Sequence, residues 1–159
     1  MRGSSLKIGQ ILINMNAITP EMLQKALARQ KETDKHLGEI LLEEKLITEQ
    51  TLCQALAKQF SMQYIDLGAV EIDPKISEIV PENIAVSNNV IPIRLDNKVL
   101  TAALSDPLDY KAINTLGIYT KLRINAVLAE SSAIKEKQRE VYATKKAFDD
   151  AQEFVSSQM

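Results

Sequence analysis

At 159 residues, with 45% hydrophobic and 25% charged side chains, the chain has the composition of a soluble globular protein, with length for one domain or two small ones. A net charge of −2 argues against a broad basic footprint, so DNA and RNA are not expected partners. No apolar run approaches the ~18 residues of a membrane span, no secretory leader is recognisable, and the lone Cys53 precludes an internal disulfide. These features lead us to expect a cytoplasmic protein without direct membrane insertion.

Met1–Ser5 resembles a cloning scar, and 1–6 is read as a tag or a disordered segment. The block Lys7–Gln30 then recurs 29 residues later as His36–Gln59, with 10 of 24 positions identical and a five-residue polar spacer between the copies. Ile8, Ile11, Leu12 and Met15 follow the i, i+3, i+4, i+7 stripe of an amphipathic helix, and Asn16 suits its end because Asn tolerates the left-handed conformation. Thr19 before Pro20 reads as an N-cap, followed by a helix carrying Leu23, Ala26, Leu27 and Gln30 on one face. The second copy repeats this with Leu37, Ile40 and Leu41, a Thr48 cap, then Leu52, Ala55, Leu56 and Gln59. Helices are expected at about 7–16, 20–32, 36–45 and 49–60.

Beyond Gln59 the texture changes. Tyr64–Leu67 is a short extended segment, and helical turns are expected near Pro74–Ile79 and Glu82–Ser87. Val90–Leu95 and Val99–Leu104 read as a hairpin turning on Asp96 and Asn97. A helix at 108–116 closed by Gly117, a strand at 122–128 and a last helix capped by Ser131 complete the pattern. The expected class is α+β: an N-terminal four-helix unit of two repeated helical hairpins, followed by a small α/β unit with a short sheet. The boundaries are 7–60 for the hairpins, 61–70 for a connector, 71–143 for the α/β unit and 144–159 for a helical tail or linker.

Catalysis finds little support in these residues. His36 and Cys53 are single and sit in different helices, which does not make a nucleophile–base pair. No metal-ligand spacing and no G-x-x-x-x-G-K-[ST] phosphate loop occur, so no catalytic residue, metal or cofactor is expected. Asp106 and Asp109 read as turn and helix-cap residues. Binding has more to work with. Gly9 and Gly38 fall in the first turn of their expected helices, where free N–H groups suit phosphate, and Lys7 and His36 precede them by two positions. Leu23, Leu27, Leu52 and Leu56 with Gln30 and Gln59 would form two apolar seats for a two-fold ligand. The same glycines and leucines also fit plain helix packing, so both readings stand on spacing alone.

The doubled block G-x-x-L-x(5)-[LI]-T-x(3)-L-x-x-A-L-A-x-Q resembles the tandem motif of the MshEN domain, found at the N-terminus of type II secretion (GspE) and type IV pilus assembly ATPases. Tyr64–Leu67, Val80-Pro81-Glu82, Val90-Ile91-Pro92 and Ala102–Asp109 resemble the same family, so the likeness runs over about 7–142. The resemblance implies a non-catalytic regulatory and docking domain that couples the motor to the cytoplasmic domain of an inner-membrane platform protein. The family's ATPase domain, absent here, would belong to the same or a partner chain, and association with the inner membrane would run through partners. It further implies cyclic di-GMP as ligand, held by Lys7, Ile8, Gly9, Leu23, Leu27 and Gln30 and by His36, Leu37, Gly38, Leu52, Leu56 and Gln59, with Asp106 closing the site. The family's motif opens Arg-Leu-Gly, whereas here it opens Lys7-Ile8-Gly9 and His36-Leu37-Gly38. Arginine offers a planar fork that neither lysine nor histidine reproduces. The alternative is therefore a free-standing protein–protein adaptor of the same fold that has lost the nucleotide.

Overall fold

The computed structural model describes residues 2–158; in its first and last helices, the side chains described begin at Lys7 and, after Ala143, are those of 146, 147, 150 and 151. The chain divides into two compact units, with the boundary between Tyr64 and Ile65.

The first unit holds α1 (Arg2–Asn14), α2 (Pro20–Glu32), α3 (Leu37–Glu43) and α4 (Glu49–Gln59). Both hairpins turn in the same way. Asn16 and Lys45 stand at φ 60° and 59°. The N–H groups of Ala17 and Leu46 reach back to the carbonyls of Leu12 and Leu41, at 2.9 and 3.0 Å. This is a Schellman ending, in which a left-handed residue satisfies the last carbonyls of the helix. Thr19 then accepts the Met22 N–H at 3.2 Å and Thr48 accepts the Thr51 N–H at 3.1 Å, each capping its second helix. Equivalent positions fill the core: Ile8 with Leu37, Leu12 with Leu41, Ile18 with Ile47 and Ala26 with Ala55. The hairpins interlock, α1 packing on α4 and α2 on α3. The first helix departs from expectation by starting at Arg2, inside the segment read as a tag or disordered. No proline interrupts 2–14, so the helix of the first copy continues backward beyond the repeat.

The second unit is built on a three-stranded sheet of β1 (Val90–Asp96), β2 (Val99–Leu104) and β3 (Arg123–Leu128), in that order. β1 and β2 are antiparallel neighbours, while β3 lies parallel to β2. A parallel neighbour needs a crossover, supplied here by α6 (Tyr110–Thr120). Two sequence expectations are corrected. The hairpin turns on Asn97 and Lys98, both at positive φ, because Asp96 is already paired with Val99. Two consecutive left-handed residues are what a tight hairpin turn requires. Gly117 does not end its helix: α6 runs on to Thr120, and Lys121 at φ 59° is the left-handed cap.

Helix α5 (Glu82–Ser87) and the long α7 (Ser131–Gln158) complete this unit, with short 3-10 turns at Leu67–Ala69 and Pro74–Glu78. Segment 144–158 is thus helical extension, while Met159 lies outside the described residues. Side chains of α7 hold irregular backbone in place. Gln138 Nε2 donates to the carbonyls of Ala85 (3.0 Å) and Val90 (2.7 Å), and the Tyr142 hydroxyl donates to that of Val80 (2.7 Å). Burial, reinforced by the Glu82 carboxylate, pushes the Tyr142 phenol well above its ordinary value.

Candidate functional site

The structure pairs each repeat glycine with a leucine of its own hairpin. A Cβ added to Gly9 would lie 2.6 Å from Leu23 Cδ1, and one added to Gly38 would lie 2.8 Å from Leu52 Cδ1. The glycines therefore let α1 approach α2, and α3 approach α4, more closely than any side chain would permit. This is the packing role that the spacing left open, and it occurs twice.

The two copies then diverge. Gly38 is the second residue of α3, whose N-cap is His36, so it lies within the first turn as expected. Gly9 does not, because a helix that starts at Arg2 places it in the interior, with its N–H group inside the helical ladder. The expectation of two equivalent phosphate-facing helix starts is corrected for the first copy. Ile8, Leu23 and Leu37 are buried, so their side chains serve the core rather than a surface seat. Leu27, Leu52 and Leu56 are half-buried, as are Gln30 and Gln59, and Gln30 Nε2 donates to the Lys35 carbonyl at 3.4 Å. Lys7 and His36 are exposed, and the His36 side chain makes no capping hydrogen bond.

Asp106 belongs to the second unit, where its carboxylate accepts the Leu108 N–H at 2.9 Å and shapes the turn into α6. Asp109 accepts the Ala112 N–H at 3.1 Å as the N-cap of that helix, so both carboxylates serve turn and cap. Cys53 is buried. Among the described residues no group of three or more His, Cys, Asp or Glu side chains is arranged to hold a metal.

One concavity escaped the sequence reading. A shallow cavity of about 340 Å³ opens beside the turn of the second hairpin, lined by Ala17, Leu42, Lys45, Leu46, Thr48 and Thr51 among others. One sequence trace of it is a difference between the copies: Thr51 replaces the longer Met22, which packs against the core in the first hairpin.

Residues 60–148 match the MshEN domain family. This chain belongs to the MshEN domain family. The match covers the sheet-containing unit, and the wider comparisons take in the tandem hairpins as well. The chain is 29% identical to the type IV pilus assembly ATPase PilB of Myxococcus xanthus over 87% of its own length, which is 25% of that relative. It is 30% identical to PilB of Thermus thermophilus over 80% of its length, which is 14% of that relative. It thus spans at most a quarter of the pilus ATPases it matches. Among solved structures, MshE with cyclic di-GMP aligns at a TM-score of 0.72 and 26% identity, covering 85% of this chain and 98% of that one. The N-terminal domain of XpsE aligns at 0.60 and 15% identity over 84% and 92%, a likeness of fold.

Proposed function

We propose that this MshEN chain is a non-catalytic regulatory and docking domain of a pilus-assembly or secretion ATPase, and that its tandem hairpins take cyclic di-GMP. The observation that carries the reading is the likeness to MshE, whose structure holds that nucleotide, over 98% of the MshE chain. Two hairpins with the same glycine-on-leucine packing support the reading, since a repeated framework suits a two-fold nucleotide. The half-buried Leu27, Leu52 and Leu56 are the apolar positions open to guanine, while Lys7 and His36 stand where the motif has arginine.

Calorimetry with cyclic di-GMP on the purified chain tests this. Lys7→Arg with His36→Arg restores forked donors, each worth roughly 1.5–3 kcal/mol against a charged group, or about tenfold and more in affinity. Leu56→Asp is expected to abolish binding while circular dichroism stays native. Silence from both the native chain and the double-arginine variant at high micromolar nucleotide would refute the ligand reading.

A second reading is favoured by the interior position of Gly9 and by the missing arginines: an adaptor of the same fold that docks on the cytoplasmic domain of a platform protein without nucleotide. Pull-down against such a domain, with and without cyclic di-GMP, separates the two.

A further inference from the structure

One end of the second unit carries an apolar and basic surface that neither the fold nor the nucleotide reading uses. The β1–β2 turn, the last turn of α6 and the first residue of β3 meet there, with the Arg123 N–H donating to the Lys98 carbonyl at 3.3 Å. Asp96, Val99 and Arg123 lie in register across the three strands, as do Leu95, Leu100 and Ile124. Three large apolar side chains stand in solvent at this end: Ile118 at 78% exposure, Tyr119 at 50% and Leu95 at 41%. Val86, Leu108 and Tyr110 are also exposed elsewhere on this unit, but only here do exposed apolar side chains stand beside a cluster of basic ones, a combination that marks an interaction site.

Its charge is as uneven as its polarity. Arg94, Lys98, Lys121 and Arg123 are all exposed here, against Asp96 on the same turn and strands, which pairs with Arg94 at 3.5 Å. Lys98, Lys121 and Arg123 have no ion pair among the described residues. The end is therefore strongly cationic in a chain whose net charge is −2. Neither of the two cavities described in the chain opens there. Projecting aliphatic and tyrosine side chains ringed by long basic stems suit a soft anionic surface. Apolar groups enter the headgroup boundary while ammonium and guanidinium groups stay at phosphate level.

We propose that this end of the sheet unit docks directly on an anionic phospholipid surface, through Leu95, Ile118 and Tyr119 with Lys98, Lys121 and Arg123. The contact is peripheral, part electrostatic and part apolar. It is independent of the tandem hairpins, so its outcome is separable from that of nucleotide binding.

Co-sedimentation of the chain with phosphatidylcholine vesicles containing about one third phosphatidylglycerol tests it, with pure phosphatidylcholine as the neutral surface. Binding is expected on the anionic vesicles alone, and it should collapse as salt is raised from about 0.1 M to about 0.5 M. Lys98→Gly, Lys121→Asn and Arg123→Gln remove the charge with residues that suit the two left-handed positions and the strand. Together they are expected to weaken partition about a hundredfold. Ile118→Ser with Tyr119→Ser should weaken it as well. The chain has no tryptophan, so Ile118→Trp provides a private probe whose emission should shift to the blue on anionic vesicles. No sedimentation, equal sedimentation on neutral vesicles, or indifference to both sets of changes would overturn the proposal. So would capture by an acidic polypeptide, such as polyglutamate, through these residues while vesicles are ignored, since the occupant would then be a protein.

Discussion

Alanine at position 9 would place a methyl carbon 2.6 Å from Leu23 Cδ1, 3.0 Å from Cδ2 and 3.4 Å from Cγ. Ordinary carbon contacts begin near ~3.5 Å, so Leu23 must retreat by about 1 Å. It has little room, being only 6% exposed within the core that includes Leu12, Ile40 and Leu41. Overpacking of this kind costs about 1–3 kcal/mol. Replacing an interior helical glycine by alanine returns about 1 kcal/mol, leaving a net loss of about 0–2 kcal/mol. At the equivalent Gly38 the added methyl meets Leu52 Cδ1 at 2.8 Å, but Leu52 is half-exposed and swings outward, so Gly38→Ala should be close to neutral. Urea unfolding of both variants gives the comparison from the midpoints at constant slope. Leu23→Ala removes the obstacle, and in a double-mutant cycle the Gly9→Ala penalty should shrink by about 1 kcal/mol or more on that background. Additive losses, or equal losses at Gly9 and Gly38, would refute the account of these glycines as packing residues with unequal freedom behind them.

Two further outcomes rest on local geometry. Lys45 holds the left-handed position of the second hairpin at φ 59°, so Lys45→Gly should stabilise the chain by about 1 kcal/mol in the same urea assay; a loss would show that the lysine side chain contributes more than its backbone strain costs. Tyr142→Phe should cost about 0.5–1.5 kcal/mol near neutral pH, because the Val80 carbonyl loses its donor. Burial raises the folded Tyr142 phenol above its ordinary value of 10.0, so the unfolded chain loses the proton first. The stability it contributes is full below about pH 10 and falls as the pH rises further, and Tyr142→Phe should flatten that decline above about pH 10. Identical alkaline slopes for the two proteins would contradict this.

Much of the first unit was legible because its signals span only a few residues. A threonine three positions before a free N–H, an Asn at the end of an apolar stripe, and leucines spaced by helical turns all act within four or five residues. Their doubling at a fixed interval made each element its own check. The caps at Thr19 and Thr48 and the turn at Asn16 follow from this, whereas the left-handed Lys45 is legible only as the counterpart of Asn16. The strands Val90–Asp96 and Val99–Leu104 and the helix Glu82–Ser87 were readable in the same way, from apolar runs punctuated by turn residues.

What the chain could not announce depended on partners distant in sequence. The hairpin turn sits on Asn97 and Lys98 because pairing of Asp96 with Val99, past an irregularity between Pro92 and Arg94, sets the register. Helix α6 runs through Gly117 because it must span the crossover that brings β3 alongside β2. Gln138 and Tyr142 looked like ordinary helix residues until the fold brought the carbonyls of Ala85, Val90 and Val80 within reach. The candidate site shows the same division. The sequence determined by itself that Gly9 and Gly38 are twins with matching leucines, since identity and spacing are local properties. Tertiary structure alone decided that they are unequal, placing Gly9 within a longer helix against a buried leucine and Gly38 at a helix start against a half-exposed one. Backbone accessibility and room to move depend on what packs nearby, and an internal repeat carries no record of its different neighbours.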